Sequence, residues 1–158
     1  MPKPAPCQID QSGKVEQTNK NTIIVMCNGS ITSVIFKKQS KRILQELFKT
    51  NKKKRFFPYL TFSALLAILL TIKIPANRVT IDHEYLSYEN LILERTNAYL
   101  KILGIKQLLP LQFGHVGKTS NAHNLASKVA KKKLKPDKIV TLEEILKLLR
   151  EELKMTGT

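Results

Sequence analysis

The chain has few acidic residues and no tryptophan. Its 158 residues include 12 Asp and Glu against 27 Lys and Arg, so the formal net charge is +15 at pH 7. Two cysteines are present, Cys7 and Cys27, and they form neither a spaced metal motif nor a disulfide framework. The N-terminus is rich in proline rather than apolar, which does not fit a secretory signal. These absences predict a reducing, cytoplasmic compartment.

The excess of basic residues is the strongest compositional signal. Such an excess is typical of proteins that bind a polyanion, because lysines that neutralise phosphates release counterions and gain affinity. Hydrophobic residues make up 42% of the chain, which is enough for a core, and the length fits one domain. We therefore predict a flexible tail over residues 1–6, a single domain over residues 7–158, and nucleic acid (RNA or DNA) as the partner.

Residues 56–72 carry no charge and follow the basic run 52–55, a pattern that also fits a membrane span. A span needs about 20 apolar residues to cross about 30 Å of hydrocarbon. Pro58 and several hydroxyl side chains interrupt this shorter run. The pattern therefore favours a buried core helix from about Leu60 to Ile72, with a membrane-associated protein as the less favoured alternative.

A β-hairpin is predicted near the N-terminus. Residues 22–27 and 31–36 are β-branched and apolar, and Asn28-Gly29 between them is typical of a type I′ turn with two positive φ angles. An earlier short strand is expected at residues 7–10.

The rest of the chain alternates between helix and strand patterns. In order, we predict a helix capped by Ser40, the apolar helix 60–72, a strand 78–84, a helix capped by Ser87, a strand 109–113 at or near an edge, a basic helix after a glycine-flanked loop, and a last helix that starts with the Thr141-x-x-Glu144 capping box. This order predicts a mixed α/β sheet of three antiparallel strands followed by alternating helices and strands, with helices packed on the sheet.

Three short motifs bear on chemistry. Asp10 is followed by Ser and Gly, Asp82 ends the strand pattern 78–84, and the segment 114–126 places His115 and two glycines before a helix that contains His123 and Leu-Ala. Together with the element order, these motifs resemble the ribonuclease H-like superfamily, of which the chain would be a divergent member. In that family an Asp on the first strand, a Glu in the first helix, an Asp on the fourth strand and an Asp or His on the last helix hold magnesium.

The resemblance implies a metal-dependent nuclease that hydrolyses phosphodiester bonds. It implies Mg²⁺ or Mn²⁺ held by Asp10, Asp82 and His123, with His115 handling phosphate. Glu84 is a further catalytic candidate. The candidate phosphate-binding residues are Lys118 after the glycine-flanked loop, together with Lys128, Lys131, Lys132 and Lys133 on the helix that follows.

The chain departs from the family pattern at the helix glutamate. The apolar helix contains no acidic residue, and Ser63 stands roughly where the Glu is expected. Glu46 is a poor substitute by its order in the chain, whereas Glu84 or Glu89 could supply the third carboxylate. A different alignment, in which Asn28 replaces the first-strand Asp, would leave a catalytically inactive nucleic-acid-binding or adaptor module.

Overall fold

Three antiparallel strands form one half of the sheet. The computed structural model describes residues 7–116, 124, 126–128, 131 and 134–154. β1 (Cys7–Ser12) pairs antiparallel with β2 (Thr22–Cys27), which pairs antiparallel with β3 (Ile31–Phe36). The predicted hairpin is therefore confirmed. Residues 1–6, the predicted tail, lie outside the described residues.

The hairpin turn differs in detail from the predicted type I′ turn. Three residues, 28–30, connect the paired Cys27 and Ile31, and Gly29 has a φ of +92° while Asn28 keeps a negative φ. The Asn28 side chain accepts a hydrogen bond from the Ser30 hydroxyl at 3.0 Å, and the Asn28 N–H donates to the Ser30 carbonyl. This local bonding closes the turn with a single residue at positive φ.

Parallel strands complete the sheet on both sides. β4 (Val79–Asp82) pairs parallel with β1, and β5 (Leu111–Gly114) pairs parallel with β4. β6 (Lys138–Val140) pairs parallel with β3, so the strand order among the described residues is β5-β4-β1-β2-β3-β6. The predicted mixed α/β sheet is confirmed. β5 lies at an edge and begins after Pro110, as the proline indicated. The sequence patterns missed β6, which has only three residues.

Four helices have both ends within the described residues, and residues 124 and 126–128 are also helical. The four helices are α1 (Lys38–Thr50), α2 (Phe57–Ile72), α3 (Glu89–Ile102) and α4 (Leu142–Leu148), and a short 3₁₀ turn, Lys54–Phe56, precedes α2. The Thr141–Glu144 capping box is present as predicted.

Both predicted serine caps are wrong. Ser40 lies inside α1, because the Asn21 side chain already accepts a hydrogen bond from the Lys38 N–H at 2.9 Å and the helix starts earlier. Ser87 has a φ of +74° and precedes the actual cap residue, Tyr88. The helix therefore begins one residue later than predicted, after Tyr88 (φ −113°, ψ 11°), whose side chain makes no capping hydrogen bond.

α2 lies in the core. By length and composition the stretch Lys54–Ile72 is apolar enough to cross a membrane, but 67% of its most apolar window is buried. Twelve of the 16 residues of α2 are buried, and the ten apolar ones pack in one cluster with the sheet residues Ile9, Met26 and Ile81 and with Ile92 of α3. This location explains an apolar surface on all sides of the helix.

The opposite face of the sheet carries a smaller apolar cluster. Ile23, Val25 and Ile35 point away from the main core and pack with Ala126. Strand side chains alternate between faces, so Asp10, which neighbours the core residue Ile9 and pairs in register with Val25, points to this second face.

Candidate metal centre

Asp10 and Asp82 come together where the parallel pairing of β1 with β4 ends. The β1–β4 register pairs Ile9 with Ile81, so each aspartate is the next residue along its strand. Both follow a core residue and therefore share the second face of the sheet. Carboxyl ends of parallel strands are where ligand-binding side chains gather in α/β sheets.

Glu84 completes a cluster of three carboxylates. One carboxylate oxygen of each of Asp10, Asp82 and Glu84 lies within 4.8 Å of the others. Asp10 is buried, with 3% of its surface exposed, and the other two residues are half-buried. Three oxygen donors at this separation could hold one divalent cation.

The electrostatics of Glu84 reflect this crowding. Burial raises the pKa of Glu84 to about 7, with Asp82 and Asp10 adding repulsion and Lys14 opposing the shift. The Lys14 ammonium lies 3.6 Å from a Glu84 carboxylate oxygen. A carboxylate with a raised pKa beside two like charges is characteristic of a site that gains from a bound cation.

Asp82 is oriented from the neighbouring strand. The N–H of Val116, two residues beyond β5, donates a hydrogen bond to Asp82 Oδ1 at 3.0 Å. The adjacent His115 is exposed and does not join the carboxylate cluster. The glycine-flanked loop therefore contacts the site through its backbone at this point.

A tyrosine anchors the chain directly after Glu84. The Tyr85 hydroxyl accepts hydrogen bonds from the Gln11 side chain at 3.2 Å and the Val15 N–H at 3.4 Å, and donates to Glu16 at 3.3 Å. Its ring packs against Phe62 of α2. Tyr85 thus connects Glu84 to the core and to the loop that carries Lys14.

A buried lysine organises the same loop. Lys41 of α1 has no exposed surface, and its ammonium donates to the carbonyls of Lys14 (3.0 Å), Gln17 (2.7 Å) and Lys20 (2.7 Å). Burial lowers the pKa of Lys41 to about 8, with Glu16 opposing the shift. The carbonyls of Lys14 and Gln17 also accept from the N–H groups of Gln17 and Lys20, so the Lys41 ammonium ties two successive turns of the loop to the Lys20 carbonyl.

The sequence patterns did not indicate that Lys14, Tyr85 and Lys41 belong to the surroundings of the site. A signal for Lys41 exists, because it falls at the helical spacing of the buried residues Leu44 and Phe48. A lysine on the apolar side of an amphipathic helix needs buried acceptors.

The other candidates for the third carboxylate have different partners. His83 Nδ1 lies 2.5 Å from Glu89, and Lys49 pairs with Glu46 at 3.2 Å. The Ser63 hydroxyl donates to the Tyr59 carbonyl at 2.7 Å within α2 and lies in the core. Glu84 is therefore the acidic residue that joins the two aspartates among the described residues.

The remaining predicted positions lie away from the cluster or outside the described residues. Asn28 is in the turn between β2 and β3, and the first strand carries Asp10. Lys128 and Lys131 are exposed. Four predicted site residues, namely Lys118, His123, Lys132 and Lys133, fall outside the described residues.

Comparison with known proteins adds no relative. No family model, curated protein or solved structure matches the chain.

Proposed function

We propose that the protein is a metal-dependent nuclease with a ribonuclease H-like fold that hydrolyses phosphodiester bonds in nucleic acid. The observation that carries the proposal is the approach of Asp10, Asp82 and Glu84 to within 4.8 Å on one face of the sheet. Two of these residues come from the strands that the family uses for its aspartates, and Glu84 stands in for the absent helix glutamate.

The fold supports this assignment in its order of elements. Three antiparallel strands precede two helices and a parallel strand, and a further helix and parallel strand follow. β6 extends the sheet beyond β3. The net charge of +15 suits a polyanionic substrate.

The donor set fits Mg²⁺ or Mn²⁺, since both prefer carboxylate oxygens. A bound ion of this kind would lower the pKa of a water molecule and neutralise charge on the phosphate. The chain itself supplies two ligands on rigid strands and a third on a segment anchored by Tyr85. The N–H of Val116 fixes the orientation of Asp82.

A nuclease assay tests the proposal. The purified chain is incubated with RNA–DNA hybrid, double-stranded RNA and branched DNA in Mg²⁺, in Mn²⁺ and in EDTA. We expect cleavage of at least one substrate with either metal, and none in EDTA. Asp82→Asn and Asp10→Asn should abolish cleavage, while Glu94→Gln, an equal charge change on an exposed side chain, should retain it. Equal activity in wild type and Asp82→Asn would remove the catalytic assignment.

One observation favours an alternative, a catalytically inactive binding module. α2 has no acidic residue to contribute to the site. Salt-sensitive binding of nucleic acid that EDTA does not change, with no cleavage of any substrate, would select this alternative.

A further inference from the structure

A groove of about 730 Å³ lies on the same face of the sheet as the carboxylates. Its floor includes Ile23 and Ile35, which belong to the second-face cluster, and it reaches Ser12 and Gly13 at the end of β1. Ser12 lies two residues after Asp10 on the same face of β1, a separation of about 6.6 Å along a strand. The groove therefore begins next to the candidate metal centre.

The charge of the groove is of one sign. Lys20, Lys37 and Lys135 line it, and the described lining contains no Asp or Glu. Lys20 and Lys135 are exposed and Lys37 is half-buried. None of the three ammonium groups takes part in an ion pair with another described residue. Three lysines in a groove whose described lining carries no carboxylate create a positive potential that attracts an anionic polymer.

The groove is also held in shape. Lys41 binds the carbonyl of Lys20 at 2.7 Å, and Asn21 accepts a hydrogen bond from the Lys38 N–H at 2.9 Å next to Lys37. On the other side, Asp137 accepts a hydrogen bond from the Ser33 N–H at 2.7 Å and fixes the segment that carries Lys135. The three lysines therefore project from backbone that is tied to the sheet and to α1.

We propose that this groove binds the phosphodiester backbone of a polynucleotide strand, with Lys20, Lys37 and Lys135 contacting its phosphates. The inference rests on the proposed function in one respect: the polynucleotide is expected to continue from the groove to Asp10, Asp82 and Glu84. Aliphatic side chains form the floor, and the described lining contains no aromatic residue on which a base could stack. Contacts to phosphate alone carry no sequence information, so binding is independent of sequence.

The test is a binding measurement in EDTA, which separates binding from cleavage. A fluorescein-labelled single-stranded oligonucleotide is titrated with wild type, with the triple variant Lys20→Ala, Lys37→Ala, Lys135→Ala, and with a control triple variant, Lys73→Ala, Lys101→Ala, Lys106→Ala. The control changes the net charge equally at exposed lysines outside the groove. We expect the groove variant to bind about tenfold more weakly or worse, and the control to bind within about twofold of wild type.

Salt dependence gives a second readout. Each phosphate contact to a single strand contributes about 0.7 to the slope of log affinity against log salt, so loss of three contacts should reduce the slope by about 2. Equal affinities and slopes for the two triple variants would overturn the groove assignment, as would a wild type that does not bind. Equal competition by poly-glutamate of matched charge would also overturn it, because the site would then accept any polyanion.

The outcomes for the groove and for the nuclease are separable. If the groove variant binds more weakly and the wild type cleaves no substrate, the results support binding in the groove and reject the nuclease proposal. If the groove variant cleaves at the full wild-type rate with metal at subsaturating substrate, the groove proposal is rejected. The nuclease proposal then stands. If the triple variant fails to fold by circular dichroism, the exposed single variant Lys135→Glu takes its place, with Lys106→Glu as its control and the same criteria.

Discussion

Asp10 and Asp82 occupy equivalent positions on adjacent parallel strands, each one residue beyond the paired Ile9 and Ile81. This register places two carboxylates side by side on the face of the sheet opposite the main core. Glu84 then approaches both, and its pKa rises to about 7 through burial and this repulsion. A cation between the three groups would convert repulsion into attraction.

Metal binding should stabilise the folded chain. At a metal concentration a hundredfold above Kd, a ligand that binds only the folded state adds about 2.7 kcal/mol to the free energy of unfolding. We expect Mg²⁺ or Mn²⁺ to raise the melting temperature of the wild type, measured by circular dichroism, and to leave that of Asp10→Asn unchanged. The control Glu94→Gln should respond as the wild type does. An equal metal response in Asp10→Asn would show that the ion binds elsewhere.

Without metal, Asp82→Asn should be as stable as the wild type or more stable by up to about 1 kcal/mol. The substitution removes one of the repelling charges and keeps an oxygen that can accept from the Val116 N–H. Asp82→Leu removes the acceptor as well and should be less stable than Asp82→Asn. Urea unfolding in EDTA measures the difference, and the reverse order of stabilities would contradict the repulsion argument.

Replacement of Lys41 by Met should destabilise the fold by about 3 kcal/mol. The substitution leaves the carbonyls of Lys14, Gln17 and Lys20 without their shared donor. Lys49→Met, on the exposed side of the same helix, should cost less than about 1 kcal/mol. Denaturant unfolding of the two variants makes the comparison. Equal small losses would mean that Lys41 does not organise the loop.

α2 should behave as a core helix in aqueous buffer. Leu66 is fully buried, so Leu66→Ala should cost about 2–5 kcal/mol, whereas Ile72→Ala, at a residue with 43% of its surface exposed, should cost far less. Both variants and the wild type are purified and unfolded without detergent. A wild type recovered only with detergent would favour the membrane alternative.

The two cysteines should react at different rates. Cys7 is buried, and burial together with the nearby Cys27 raises its pKa to about 11, so at pH 8 only about a thousandth of it is thiolate. Cys27 is half-buried. Iodoacetamide at pH 8 should therefore modify Cys27 first, as read by mass spectrometry of the native chain. Denatured protein is the control, in which both thiols should react, and faster modification of Cys7 in the native chain would contradict its burial.

Local signals in the chain were informative where neighbours in sequence decide the structure. Asn28-Gly29 marked the hairpin, Pro110 marked the late start of an edge strand, and Thr141 with Glu144 marked the start of the last helix. Each of these depends on bonding within a few residues. The serine caps failed for a tertiary reason at Ser40, since Asn21 from another loop supplies the acceptor for the Lys38 N–H.

In the candidate site too, local sequence determined some features and tertiary contacts determined others. The amino-acid sequence by itself determined the basic charge, the alternation of strands and helices, and the presence of acidic residues at the ends of the strand patterns containing Asp10 and Asp82. Only the tertiary structure decided that Glu84, rather than Glu46 or Glu89, joins them, because that choice depends on the β1–β4 register and on the anchoring of Tyr85. It also decided the role of Lys41, whose three acceptors lie 21 to 27 residues away in the chain. Residue types and periodicity report local preference, whereas a site built from separate strands depends on which strands become neighbours.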